Sequence, residues 1–194
     1  MSYTLYTVSP SSLKVEVKDV LRYLSIKEPN EEMLSLIYSC IEQSRGVISP
    51  RAVYVKCPIE AENEKIDFGA FQIESKNLAS FLDGSKEAYV FAATLGASAD
   101  REVNKYLRTE PSRGVIINAV MVLFIEELCD RLNGYLLGVD SSSKRFSPGY
   151  GDLKLEHQRD VMKLLCADKT VGITLTDACL MVPTKSVSAI VAIK

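Results

Sequence analysis

Val115-Ile116-Ile117-Asn118-Ala119-Val120-Met121-Val122-Leu123-Phe124-Ile125 is apolar almost without a break. Pro111-Ser112 in front of it has the chemistry of a helix start, and the helical run reaches about Asn133. A helix that is apolar nearly all round belongs in the centre of a domain, because no face of it suits water. The run is interrupted by Asn118 and is too short to span a bilayer. The rest of the chain must therefore be arranged around this rod.

Upstream, Ala88 to Ala93 reads as a buried strand. Thr94 to Ser98 turns it into a helix from Ala99 to Leu107, a strand-turn-helix whose backbone N–H groups can cradle a ligand, though without a phosphate motif. Farther back the period is two. Ala52 to Cys57 and Lys65 to Ile73 alternate like strands, with Glu60 to Glu64 joining them as a hairpin. Ser75 caps a short helix from Asn77 to Leu82, closed by Asp83-Gly84.

In the first third Val17, Val20, Leu21 and Leu24 have helical spacing. Asn30 is the N-cap of a second helix, with Glu31 and Glu32 where the dipole favours acids, and it runs to about Ser44. Residues 1–48 thus read as a helical N-terminal cap and 49–194 as the core of a single domain over 1–194.

After the rod, Ser141 to Lys144 reads as a loop and Leu155 to Ala167 as a helix. Gly172 to Thr176 and Ser186 to Ile193 read as strands linked by Leu180 to Pro183. The expected class is α+β: a mixed, largely antiparallel sheet packed with helices around a long central apolar helix.

Composition narrows the function. The 194 residues are 47% hydrophobic and 25% charged, with net charge -2. Without clustered Lys and Arg, nucleic acid is a poor main partner. No signal-peptide pattern or membrane span is present. Five widely spaced cysteines with no CxxC pair read as reduced core residues of a cytoplasmic protein. The single histidine, His157, has no companions at metal-ligand spacing, so a self-contained metal site or a Ser-His-Asp triad is not expected. A P-loop and a GxGxxG are both missing.

Between the rod and the next helix lies Arg145-Phe146-Ser147-Pro148-Gly149-Tyr150-Gly151-Asp152. Arg145 offers a planar fork for a carboxylate, Tyr150 a flat ring with a polar tip, and the glycines a backbone that lets a ligand approach. Asp152 and Leu155 read as the start of the following helix. The stretch is either the wall of a site for a small zwitterion or a surface turn. Glu126, on the same helix face as Ala119, Val122 and Leu123, is either a solvated helix end or an inward carboxylate that requires a cation.

Four segments in order resemble the activation (S-adenosylmethionine-binding) domain of cobalamin-dependent methionine synthase. Arg145-Phe-Ser-Pro-Gly-Tyr150 resembles its Arg-x-x-x-Gly-Tyr signature. Ala92 to Gly96 resembles its strand-turn, Gly172 to Thr176 its "IGV-LTE" region, and Met181 to Ala189 its "P-x-x-S-V-S-A/G" region. The likeness covers residues 85 to 193 well and the first third poorly.

The resemblance implies a domain that holds S-adenosylmethionine over the cobalt of a corrinoid carried by a cobalamin-binding methionine synthase module. A flavodoxin-type donor supplies one electron to cob(II)alamin, and the sulfonium methyl traps the reduced cobalt. The protein's part is positioning, and the cofactor does the hard chemistry. No catalytic residue or metal ligand is implied. S-adenosylmethionine would be bound by Arg145 through its carboxylate, by Tyr150 over the ligand or at the corrin edge, by backbone of Phe146, Ser147, Pro148 and Gly149, and by Glu126 at its positive part.

The sequence also departs from the family. The long enzymes continue the signature with a Pro-Ala-Cys-Pro-Asp-like run, where this chain has Gly151-Asp152-Leu153-Lys154. Their C-terminal paired aromatics and an N-terminal acidic contact have no counterpart. The expectation is the short, stand-alone form, acting in trans as an accessory domain and inactive alone. The alternative is a corrinoid-docking module that no longer binds S-adenosylmethionine. An ordinary methyltransferase would need a glycine-rich loop after a first strand, which is not found.

Overall fold

The computed structural model describes residues 2–138 and 144–194. The chain opens with strand β1 (Thr4–Thr7), then helices α1 (Val17–Tyr23) and α2 (Glu31–Val47). Asn30 caps α2 as its sequence suggests, its side chain accepting from the Met33 N–H at 2.8 Å. Strands β2 (Arg51–Pro58), β3 (Glu60–Glu62), β4 (Lys65–Asp67) and β5 (Gln72–Glu74) precede α3 (Lys76–Leu82) and β6 (Glu87–Thr94). Helices α4 (Ala97–Thr109) and α5 (Pro111–Leu137) form the middle. Helices α6 (Gln158–Leu165) and α7 (Ala167–Thr170) lead to β7 (Thr174–Leu175), β8 (Met181–Val182) and β9 (Ser186–Ile193).

The main sheet has the order β1-β2-β6-β9, and each neighbouring pair is antiparallel. Because strand side chains alternate between faces, its register sorts the core in two. Ala52, Phe91, Ala93, Ala189 and Val191 face one cluster with Ile117, Val120, Met121 and Phe124 of α5. Val53, Val90, Ala92 and Ile190 face a second cluster with Leu78 of α3, Val161 and Leu165 of α6, Ile66 of the small β3-β4-β5 sheet and Phe68 just after β4. The sheet is thus buried on both sides, which is why β6 reads as a continuous apolar run. The α+β class and the central place of α5 agree with the sequence.

Four local expectations are corrected. Residues 1–48 are not helical throughout: β1 pairs with β2, Thr4 opposite Tyr54, as the exposed edge of the main sheet. Four residues carry too little pattern to announce a strand whose register comes from its neighbour. The β2 hairpin partner is not Lys65 to Ile73. That run breaks at Gly69, whose φ of 77° and N–H bond to Asp67 Oδ1 (2.6 Å) turn the chain. Glu60–Glu62, expected as a connection, pairs instead with β4. The helix over Leu155 to Ala167 is a 3-10 turn followed by α6 and α7, broken at Cys166, where φ is 48°.

The Leu180 to Pro183 link holds β8, which pairs with β7 apart from the main sheet. The loop expected at Ser141 to Lys144 lies outside the described residues up to Ser143. Helix α5 runs one turn past Asn133, to a left-handed cap at Gly138 whose N–H meets the Gly134 carbonyl at 2.9 Å. Among the described residues no helix is long and apolar enough to cross a membrane.

Gly114 sits where α4 and α5 meet. A Cβ there would lie 2.5 Å from the Leu107 nitrogen and 2.7 Å from its Cα, so backbone would have to move. Replacing a mid-helix glycine by alanine normally stabilises by up to about 1 kcal/mol. Here overpacking decides the sign, and Gly114→Ala should destabilise by about 1–3 kcal/mol in urea titrations. A more stable variant would show that the crossing is not tight.

Candidate functional site

The Arg145 to Asp152 stretch is held at both ends. Phe146 exchanges two backbone hydrogen bonds with Ile190, N–H to O at 3.0 and 2.8 Å, so the stretch docks on the outer edge of β9. The Phe146 ring packs between Phe81 (5.5 Å) and Tyr150 (6.1 Å), on the side of the second core. A turn follows, closed by Tyr150 N–H to Ser147 O (3.0 Å) and Gly149 N–H to Leu153 O (2.8 Å), with Gly149 at φ 93° and Gly151 at φ 56°. A Cβ on Gly151 would come within 2.6 Å of Asn77 Nδ2.

Asp152 does not start the following helix. Its carboxylate accepts from the Ser75 hydroxyl and from the N–H groups of Lys76 (2.8 Å) and Asn77 (3.2 Å), so it caps α3. Chiefly the Ser75 hydrogen bond, with help from those backbone N–H groups, holds its pKa below the usual aspartate range.

Arg145 leads into a cleft. Its Nη1 donates to Asp130 Oδ1 and its Nη2 to Glu126 Oε2, each at 2.7 Å. The two acids are one turn apart on α5. The guanidinium side chain is only 18% exposed, against 51% for Glu126 and 44% for Asp130. This cleft, about 320 Å³, is walled also by Lys144, Ser147, Tyr150 and Val187. It shares Ser147, Tyr150 and Val187 with a neighbouring trough of about 420 Å³.

The trough has apolar walls at Pro148, Leu155, Leu180 and Met181, and polar groups at Gln158, Ser186 and Ser188. Those polar groups are satisfied: Ser188 donates to Gln158 Oε1 (3.0 Å), Gln158 Nε2 to the Cys179 carbonyl (3.1 Å), and Ser186 is paired with Thr94 (2.8 Å). Cleft and trough adjoin along Ser147, Tyr150 and Val187, so a charged end borders an apolar slot. A wider cavity of about 620 Å³ lies elsewhere, between Phe81, Tyr89 and Leu136. It holds none of the Arg145, Glu126 and Tyr150 side chains.

Of the residues singled out from sequence, Arg145, Ser147, Pro148, Tyr150 and Glu126 line the cleft or the trough. Phe146 and Gly149 do not: their part is to hold the backbone. Asp130, Gln158, Val187 and Ser188 were not singled out as site residues. The signals were there: an acid four residues after Glu126, and serines alternating within an apolar strand.

In the turn at Thr94 to Ser98 the Gly96 N–H already goes to Thr94 Oγ1 (3.0 Å). Asp100 in the first turn of α4 takes the N–H and hydroxyl of Thr184, both at 2.7 Å. His157 pairs with Asp160 of the following helix at 3.0 Å. Among the described residues no group of three or more His, Cys, Asp or Glu converges as metal ligands would.

Residues 133–194 match the family model described as vitamin B12 dependent methionine synthase, activation domain. No curated protein matches the chain. Among solved structures, the crystal structure of the MetH reactivation domain bound to AdoHcy is similar, with a TM-score of 0.71 and 13% identity. The likeness covers 99% of this chain and 78% of that one. The chain therefore has the fold of that domain along nearly its whole length, and its last third carries the sequence pattern of the activation-domain family.

The depressed Asp152 carboxyl sets a pH dependence. A carboxyl with a lowered folded pKa contributes stability above its unfolded value and loses it as pH falls through the folded one. Asp152→Asn should therefore be less stable than wild type by a constant margin near neutral pH. Below about pH 4 the margin should close. Urea titrations from neutral to acid pH check this; a margin that does not change with pH would remove the carboxylate from the α3 cap.

Proposed function

We propose that this protein, similar to the activation domain of vitamin B12 dependent methionine synthase, binds S-adenosylmethionine in the cleft and trough beside Tyr150. It presents the sulfonium methyl to the cobalt of a corrinoid carried by a separate methionine synthase module. The corrinoid supplies the metal nucleophile, and a flavodoxin-type donor supplies the electron that regenerates it. The observation that carries this reading is the mostly buried Arg145 guanidinium at the charged end of an apolar slot, set on the stretch that carries the family signature.

In this reading each residue has one role. Arg145 meets the ligand carboxylate with its planar fork. Glu126 meets the ammonium. The Tyr150 ring covers the junction of cleft and trough, and the trough walls take the flat nucleoside base against Met181 and Leu180. The backbone from Phe146 to Gly149, fixed to β9, sets the height of the ligand above the sheet edge. Methyl transfer from a sulfonium to a metal moves no proton, so the protein needs only to orient, which removes the entropic part of the barrier.

A second reading has its own support. Arg145 is already engaged by Glu126 and Asp130, an arrangement suited to a module that docks on a corrinoid protein without holding S-adenosylmethionine.

Calorimetry separates the two. S-Adenosylmethionine should give a binding isotherm, and Arg145→Ala should weaken it by about 30-fold or more, the cost of an unpaired charge in a partly closed site. Absence of heat with the wild-type protein would leave only docking. Tyr150→Ala should weaken binding about tenfold through lost stacking, while Tyr150→Phe should not. Label from S-[methyl-14C]-adenosylmethionine should reach a corrinoid-loaded partner module under a low-potential reductant, and Arg145→Ala should abolish that transfer.

A further inference from the structure

Asp130 has no part in the roles above, yet it faces the same cleft and holds the same guanidinium as Glu126. The zwitterionic part of S-adenosylmethionine carries three charges: one carboxylate, one ammonium and one sulfonium. Arg145, Glu126 and Asp130 offer three complementary charges. Once the ligand carboxylate occupies Arg145 and the ammonium occupies Glu126, Asp130 is the remaining acid lining the cleft. It is nearly half exposed and one helical turn from Glu126. Lys144 is the other cation of the cleft wall, and it is exposed.

We infer that Asp130 is a specificity-determining residue that makes this site prefer the sulfonium ligand over the neutral thioether left after methyl transfer. The inference rests on the S-adenosylmethionine reading of the site. Substrate and demethylated product share the carboxylate, the ammonium and the base, so Arg145, Glu126 and the trough hold both alike. The sulfur charge is what differs, and only a group placed to feel it can separate them. With Asp130 in place, loss of the methyl also removes an attraction, which favours exchange of spent ligand for fresh. Without the ligand the same carboxylate serves as a tether for Arg145, keeping the fork in position.

The experiment is calorimetry of the wild type, Asp130→Asn and Asp130→Glu with S-adenosylmethionine and with S-adenosylhomocysteine. Asp130→Asn keeps a carbonyl oxygen that can accept from Arg145 Nη1 and changes only the charge. It should weaken S-adenosylmethionine about five- to tenfold, the worth of one unit charge pair at close range in solvent-accessible surroundings. S-Adenosylhomocysteine should bind as to wild type, and Asp130→Glu should restore the preference. Raising the salt concentration should narrow the wild-type preference and leave that of Asp130→Asn unchanged.

Equal weakening of both ligands would overturn the inference and leave Asp130 a tether for Arg145; unchanged binding of both would overturn it outright. A wild-type protein that takes up neither ligand would overturn the parent reading and this inference with it. Melting curves of the variants separate lost binding from lost folding.

Discussion

Arg145 reaches two carboxylates on α5 while its neighbour Phe146 shares two backbone hydrogen bonds with Ile190 on β9. Between them these contacts fasten one short stretch to the central helix and to the sheet edge at once. Asp152 adds a third attachment at the N-terminus of α3. A surface turn with one attachment would wander. A turn with three has its side chains aimed, and the cleft and trough lie between it and Val187 and Ser188.

The frame behind the turn is a sheet with apolar layers on both faces. That arrangement anchors α5: Phe124, Leu128 and Leu132 are wholly buried in the core it shares with the sheet and the N-terminal helices, so Glu126 and Asp130 are carried on a helix held by its core face. Cys129 lies between them in sequence and is buried; desolvation pushes its thiol up to about 12, well away from reactivity. The face that carries the acids and the face that carries the core are consecutive residues of one helix. The site's electrostatics therefore inherit the precision of the core.

The polar side of the trough follows the same logic. Ser188 and Gln158 are buried, but each finds its partner in the other, and Gln158 also ties down the loop before β8. A satisfied buried network is stiff and costs little. It leaves the apolar walls to recognise a flat group while the charged end fixes orientation.

The sequence alone determined the elements with strong local signals. The apolar rod, the Asn30 and Ser75 caps and the buried run of β6 could be read directly, because each depends on neighbours within one or two turns of chain, while the Arg145 to Tyr150 stretch stood out only by its resemblance to a family signature. Only the tertiary structure decided which strand lies beside which, that β1 belongs to the main sheet, and that Asp152 caps a helix far upstream. The same holds for Asp130 and Glu126 sharing one guanidinium: α5 packs on one face of the sheet, and the turn pairs with the edge of β9 through Phe146 and Ile190. No local spacing encodes a distance set by two cores pressing on one sheet.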